Sequence, residues 1–318
     1  MNIRKNCLVT GGAGFIGSHL CRSLLDKGFR VYCLDNLLTG SNSNIKPFLS
    51  NPSFTFIKKD LAKFYFRINL ENEKLDYIYH LASPASPPQY RHYSIETLLV
   101  NSVGTYNLLQ LTKQQKCRFL LASTSEVYGD PQEHPQKESY FGYVNPVGLR
   151  SCYDESKRFA EALTMEFYRK HNTDVRIVRI FNTYGPNMQA KDGRVISNMI
   201  TQAIAGKPVT VYGSGNQTRS FCYVSDMVTG LNKAMEKPMA GGIVNLGNPD
   251  EITINRLAGL VKELTGSSSA LIKLNKRLED DPEKRKPDIS LAEKLLGFHP
   301  GVSLKEGLKK TIDYFRNI

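Results

Sequence analysis

Tyr153 and Lys157 stand four residues apart in Tyr153-Asp154-Glu155-Ser156-Lys157, so on a helix a phenol and an ammonium project from one face. A cation beside a phenol favours the phenolate and lowers its pKa toward neutrality, which would make Tyr153 a usable proton acceptor. Thr124 closes an apolar, strand-like run and can donate a hydrogen bond to the same substrate oxygen. Such a Tyr and Lys can equally be an idle surface pair, so the reading depends on what else the chain carries.

The string Thr10-Gly11-Gly12-Ala13-Gly14-Phe15-Ile16-Gly17 follows the first strand-like run and leads into a helical pattern. Gly11, Gly14 and Gly17 let the chain turn tightly, let the backbone approach a pyrophosphate and let the helix pack close, with its N-terminus attracting the anion. A glycine turn alone is weak evidence, and the spacing is G-x-x-G-x-x-G. Asp35 strengthens it: 18 residues after Gly17, it ends the next strand. A carboxylate there accepts hydrogen bonds from both ribose hydroxyls and repels a 2′-phosphate, so NAD is expected rather than NADP. Asp60 and Leu61, ending the third strand, are expected at the adenine. Leu81, Ala82 and Ser83, ending the fourth, are expected near the rest of the dinucleotide.

Short β-branched runs at 7–10, 30–35, 54–58, 77–81, 117–123 and 175–181 read as strands. Helical apolar spacing covers 15–27, 95–114 and 153–170, and this alternation implies an α/β fold with a doubly wound parallel sheet covered on both faces. After Phe181 the chain becomes rich in Gly, Pro and Asn, with one helical stretch at 195–205 and a strand at 243–246 that returns to the sheet. The expected division is a dinucleotide-binding domain over 1–181 with a returning segment at about 221–248, and a smaller, discontinuous substrate domain from 182–220 and 249–318.

At 318 residues with 41% hydrophobic and 23% charged residues, the chain can bury a real core, which excludes disorder and coiled coil as its main state. Lys plus Arg 42 against Asp plus Glu 30 gives +12, which draws acidic partners, either phosphate-bearing small molecules or nucleic acid. No apolar run approaches the ~20 residues of a membrane span, so no anchor or signal peptide and a cytoplasmic location are expected. The six cysteines show no C-x-x-C pair, and no histidine has metal-ligand spacing. They read as reduced thiols, with no metal expected and His80 a packed residue.

Glycine loop, strand-end Thr and Tyr-x-x-x-Lys together resemble the extended short-chain dehydrogenase/reductase superfamily over essentially the whole chain. Longer strings narrow the resemblance: His80-Leu81-Ala82-Ser83-Pro84-Ala85-Ser86-Pro87-Pro88, Ser123-Thr124-Ser125-Glu126-Val127-Tyr128-Gly129, Ile180-Phe181-Asn182-Thr183-Tyr184-Gly185-Pro186 and Lys284-Arg285-Lys286-Pro287-Asp288. With Asp192-Gly193-Arg194-Val195 and Val211-Tyr212-Gly213-Ser214-Gly215-Asn216-Gln217-Thr218-Arg219, the set is similar to the UDP-glucuronate decarboxylase family. The resemblance implies a seven-stranded Rossmann-type sheet, tightly held NAD and a nucleotide-sugar substrate under the C-terminal part.

It further implies that Tyr153 deprotonates the C4 hydroxyl during oxidation to a 4-ketone, that the resulting β-keto acid loses carbon dioxide, and that C4 is then reduced again. Arg285 is implied to place the substrate carboxylate, and Ser125 and Glu126 to lie around C4 to C6, Glu126 either reacting or only ordering its neighbours. The related dehydratases carry Asp where Ser125 stands, which argues against dehydration. Asn182, Arg194, Tyr212, Gln217 and Arg219 are implied at UDP, with Tyr212 near uracil and Arg219 near the diphosphate. Thr183 and Arg194 are implied on the cofactor side as well. Phe15, Ile16, Asn36, Thr39 and Gly40 complete the cofactor set, together with Tyr153 and Lys157.

A homodimer through helices 95–114 and 153–168 is implied too. Departures from the family pattern are Ser156 for Gly, Leu37-Leu38 for two Phe and Gln189 for His. A UDP-glucuronate 4-epimerase shares the first step but is disfavoured by Arg285 and Ser125-Glu126. A non-catalytic nucleic-acid binder, permitted by the charge, is disfavoured by intact Thr124, Tyr153 and Lys157.

Overall fold

A computed structural model describes residues 4–70, 73–274 and 284–318. Its centre is a parallel sheet of seven strands built from β1 (Asn6–Thr10), β2 (Arg30–Asp35), β3 (Phe54–Lys58), β4 (Tyr77–His80), β5 (Arg118–Thr124), β6 (Val175–Ile180) and the strand Gly242–Leu246. The spatial order is Gly242–Leu246, β6, β5, β4, β1, β2, β3, so the chain reverses direction across the sheet beside β1. Ligands in open α/β sheets sit outside the strand ends at such a reversal.

Both sheet faces are covered, and the strand residues alternate between them. Cys7 and Val9 pack with Leu20 and Leu24 of helix α1 (Phe15–Asp26) and with Met227 and Leu231 of the helix Val224–Glu236. Leu8, between Cys7 and Val9, points the other way, toward Leu108 and Leu109 of Thr105–Gln115 and Ala160 of Ser151–His171. The returning strand expected near 243–246 pairs in parallel with β6 over Gly242–Leu246.

The expected helix 95–114 is present as Ser94–Leu99 and Thr105–Gln115, joined by a π turn at Val100–Gly104. That wider turn contains Asn101, whose side-chain amide donates to Ser83 Oγ and Ser156 Oγ, both at 3.0 Å. Ser156 Oγ in turn donates to the Tyr153 carbonyl at 3.0 Å. The end of β4 and the long helix are thereby tied together, and Ser156 supplies a bond that a glycine could not.

Beyond Phe181 the chain forms short ribbons that hydrophobic periodicity does not reveal. Val209–Tyr212 pairs with Leu271–Leu274, and Thr218–Ser220 lies between Glu251–Thr253 and Lys284–Arg285. Two to four residues are too few to display a period of two. The helices Val195–Ile204 and Ile254–Thr265 pack over these ribbons, and Leu304–Arg316 packs on those two helices. Their apolar residues Ile200, Leu257 and Ile312 belong to the same buried cluster as Cys7 and Val9, so one core runs from the sheet into this region without a break.

Candidate active site

One cavity of about 530 Å³ opens at the carboxyl ends of the parallel strands, between the sheet and the ribbons. Every residue expected at the cofactor or substrate lines it: the loop at Gly11, Gly14, Phe15, Ile16 and Gly17, the β2 end at Asp35, Asn36, Thr39 and Gly40, then Asp60, Leu61, Leu81, Ala82 and Ser83. Thr124, Ser125, Glu126, Tyr153, Lys157, Asn182, Thr183, Arg194, Tyr212, Gln217, Arg219 and Arg285 line it too. One local expectation shifts: β3 stops at Lys58, so Asp60 and Leu61 lie in the turn beyond the strand rather than at its end.

The loop has the form a dinucleotide requires. Gly11 has φ +71° and a Cβ there would come within 2.7 Å of the Ala82 nitrogen, and one on Gly17 within 2.1 Å of the Gly11 oxygen. Only bare backbone fits, and it leaves α1 presenting its N-terminus to the cavity. Asp35 is buried and anchored: Oδ2 accepts from Ala13 N at 3.0 Å and Oδ1 from Leu37 N at 2.8 Å. Each oxygen keeps a second lone pair, enough to accept a pair of ribose hydroxyls. Burial raises its pKa and those two backbone bonds act against the shift. Gln189 Nε2 donates to Thr39 O at 2.7 Å, closing the edge of this half of the cavity.

The helix Ser151–His171 delivers Tyr153 and Lys157 from one face, both buried. Tyr90 stacks on Tyr153 with centroids 5.1 Å apart and planes 5° from parallel, fixing the phenol ring. Lys157 Nζ donates to Ala122 O at 2.9 Å and lies 6.0 Å from the Tyr153 ring centroid. Thr124 accepts from Glu126 N at 3.2 Å, which starts the turn Ser125–Tyr128 and turns its hydroxyl toward the phenol.

The expected fall in the Tyr153 pKa is absent here. Burial raises it above the ordinary value, and the Thr124 hydrogen bond only opposes that rise. Burial also pulls Lys157 down to about 7, against the pull of Glu161. In a dry cavity burial disfavours the charged forms of both groups.

Glu126 is the centre of the other half. Its Oε1 accepts from Arg285 Nη1 at 2.6 Å, and Oε2 accepts from Arg285 Nη2 at 2.9 Å and from Arg150 Nη2. Burial pushes its pKa up, but Arg150, Arg285 and Arg219 outweigh that and hold it below the ordinary carboxylate value. Arg285, expected at a substrate carboxylate, thus forms a fork with a protein carboxylate in this structure. It reaches Glu126 because the short strand Lys284–Arg285 pairs with Thr218–Ser220, which sets Arg285 beside Arg219.

Arg150 and Tyr90 are functional-site residues that sequence reasoning missed. Arg150 precedes the first residue of Ser151–His171, where a cation opposes the helix dipole, and that misplacement is the signal available in the sequence. Tyr90 leaves none, because its role depends on stacking across the fold.

On the nucleotide side, Asn182 Nδ2 donates to Ser220 O at 3.4 Å and Gln217 Nε2 to Tyr212 O at 2.8 Å. Arg219 Nη1 donates to Thr218 O at 2.8 Å, and Arg194 pairs with Asp192 across the face of Phe15. His80 accords with its packed reading: burial and the charge of Lys157 lower its pKa to about 3, and its ring nitrogens meet the hydroxyls of Thr10 at 2.9 Å and Thr105 at 3.1 Å. Among the described residues no group of three or more His, Cys, Asp or Glu is arranged to hold a metal, and no helix is long and apolar enough to cross a membrane.

A family model described as the NAD dependent epimerase/dehydratase family matches residues 7–247. UDP-glucuronic acid decarboxylase 1 of Xenopus tropicalis is 50% identical over 314 residues, covering 98% of this chain and 72% of the relative. The Arabidopsis thaliana protein of the same name is 52% identical over 314 residues, covering 99% of this chain and 70% of the relative. Among solved structures, UDP-glucuronic acid 4-epimerase from Bacillus cereus, in complex with UDP-glucuronic acid and NAD, superposes with a TM-score of 0.86 at 30% identity, covering 98% of this chain and 99% of the other.

Proposed function

The chain belongs to the NAD dependent epimerase/dehydratase family, and on that premise we propose that it converts UDP-glucuronate to UDP-xylose and carbon dioxide. The observation that carries this reading is a doubly guanidinium-bound carboxylate, Glu126 with Arg150 and Arg285, opening into the cavity that also holds Tyr153 and the dinucleotide loop. The relatives at 50% and 52% identity support decarboxylation over epimerisation.

NAD, held along Gly11, Gly14, Gly17 and Asp35, supplies the reversible removal of two electrons from the sugar C4. Tyr153, starting as the phenolate, takes the proton of the C4 hydroxyl as that oxidation proceeds, and Thr124 hydrogen-bonds the same oxygen. The C5 carboxylate is then β to a ketone. The C5–C6 bond breaks, its electron pair enters the enolate at C4, and carbon dioxide leaves. Thr124 and the protonated Tyr153 face the enolate oxygen and stabilise its charge. C5 then takes one proton from solvent, the proton that the overall reaction consumes when a carboxylate leaves as carbon dioxide. Tyr153 gives its proton back to O4 when C4 is reduced, so Tyr153 ends as it began. Arg285 holds the carboxylate in bidentate fashion before the bond breaks, while Asn182, Tyr212, Gln217, Arg194 and Arg219 receive UDP.

We read the sheet with its returning segment as the NAD-binding domain, and 182–220 with 249–318 as the nucleotide-sugar domain, the stretch 275–283 lying outside the described residues. A homodimer is supported by apolar side chains bared on two neighbouring helical stretches, Ile95 62%, Tyr106 46% and Phe159 51% exposed. Six buried, unpaired thiols suit a reducing compartment such as the cytoplasm.

Proton NMR of protein, NAD and UDP-glucuronate tests the reaction directly, since a closed redox cycle accumulates no reduced cofactor. UDP-xylose is expected. UDP-galacturonate would establish the epimerase instead, and unchanged substrate would overturn both readings.

A further inference from the structure

We infer that Arg150 sets specificity for the substrate's carboxylate, by keeping Glu126 neutralised when Arg285 is handed over to the substrate; the inference rests on the reaction proposed above. Glu126 accepts from both guanidinium groups, and the side chains of Arg150, Glu126 and Arg285 are 8%, 13% and 7% exposed. Buried at this depth, a carboxylate without a counter-charge is strongly disfavoured. If Glu126 had Arg285 alone, an incoming carboxylate would set two like charges around one guanidinium and would have to displace a bidentate pair. With Arg150 on Oε2, Arg285 can turn its fork to the substrate while Glu126 stays ionised and paired.

Nothing about helix stability explains a cation at this position, where it faces the positive end of the dipole. Asp154, one turn into the same helix, also lies 3.8 Å from Arg150 Nε. Arg219 adds positive charge at Glu126 from the nucleotide side but belongs to a different strand and a different part of the ligand. The Arg150 carbonyl accepts from Tyr153 N at 2.9 Å, a bond any residue at this position would make, while its guanidinium is on Glu126, so the side chain acts through Glu126 and Arg285 as a positioning group.

The measurement is calorimetric binding of UDP-glucuronate and of UDP-glucose, which lacks the carboxylate, to NAD-loaded full-length protein. Arg150→Met should weaken UDP-glucuronate by about tenfold or more and leave UDP-glucose within about twofold, because only one ligand needs Arg285. Adding Glu126→Gln to Arg150→Met should restore the lost preference, since a neutral amide no longer competes for Arg285. Equal weakening of both ligands by Arg150→Met would reduce Arg150 to a structural anchor and overturn the inference, as would an unchanged preference. If Arg150→Met does not fold, Arg150→Lys against Arg150→Gln repeats the comparison, with the preference kept by the charged variant and lost by the neutral one. A wild-type protein that does not prefer UDP-glucuronate would instead overturn the proposed reaction.

Discussion

Two buried glutamates meet arginines in this molecule and end in opposite conditions. Glu161 is matched one to one with Arg179 through Nε at 3.0 Å and Nη2 at 2.7 Å, and Ser123 Oγ adds a bond at 2.5 Å. Arg179 spends its remaining donors on Tyr128 OH at 2.9 Å and Glu138 O at 3.1 Å. Neither partner lines the cavity. Burial pulls the Arg179 pKa down, and the bond to and charge of Glu161 override it and raise it. Glu126, by contrast, has more guanidinium than it can use and faces the open space. A balanced buried pair holds a strand and a helix together; an unbalanced one at a cavity wall is a vacancy for an anion.

The comparison breaks most sharply on chemistry. Tyr153→Phe should lower turnover by about 10³-fold, within the range of a lost general base, while leaving the melting temperature within experimental error. A variant that keeps more than a tenth of the turnover, read by NMR of the product, would remove the phenol from the reaction.

Stability separates the two clusters next. Arg179→Met leaves Glu161 buried without a counter-charge and should cost about 3–5 kcal/mol in urea unfolding, whereas Arg285→Met leaves Glu126 with Arg150 and should cost about 1 kcal/mol or less. Equal costs would mean that the cavity cluster is as structural as the other. A smaller effect comes from Lys157, which lies one turn before Glu161 on the same helix. Its folded pKa of about 7 is below the ordinary 10.5, so between those values the unfolded chain holds a proton that the native chain has released. Stability should therefore rise with pH from about 7 toward 10, and Lys157→Met should flatten that slope. A wild-type slope of the opposite sign would contradict the assignment.

The smallest expected effect is at the tie between β4 and the long helix. Ser156→Gly removes the hydroxyl between Asn101 and the Tyr153 carbonyl and should cost about 1 kcal/mol, read as a lowered midpoint in urea. An unchanged midpoint would show that Ser83 alone satisfies Asn101.

Much of this arrangement is legible along the chain because it is local. Arg30–Asp35 and Phe54–Lys58 begin and end where the apolar pattern does, since turn residues bound both. Gly11, Gly17 and Asp35 can be read because a close backbone approach admits few residue types. What escapes the sequence is long-range. Arg150 meets Glu126 across 24 positions, and Arg285 meets it across 159, through a ribbon too short to show periodicity. The direction of the Tyr153 shift escapes as well, because spacing reports the nearby Lys157 but burial, which dominates, is a property of the folded whole.

The unbroken core running from Cys7 and Val9 to Leu257 and Ile312 has a further consequence. Two regions that differ in topology share one apolar interior, so heat should melt them in a single endotherm, and neither should survive excision as an independent piece. Removal of the last helix, Leu304–Arg316, would take Ile312 out of the cluster that also holds Val9, and so loosen the sheet as well as the two helices it packs on.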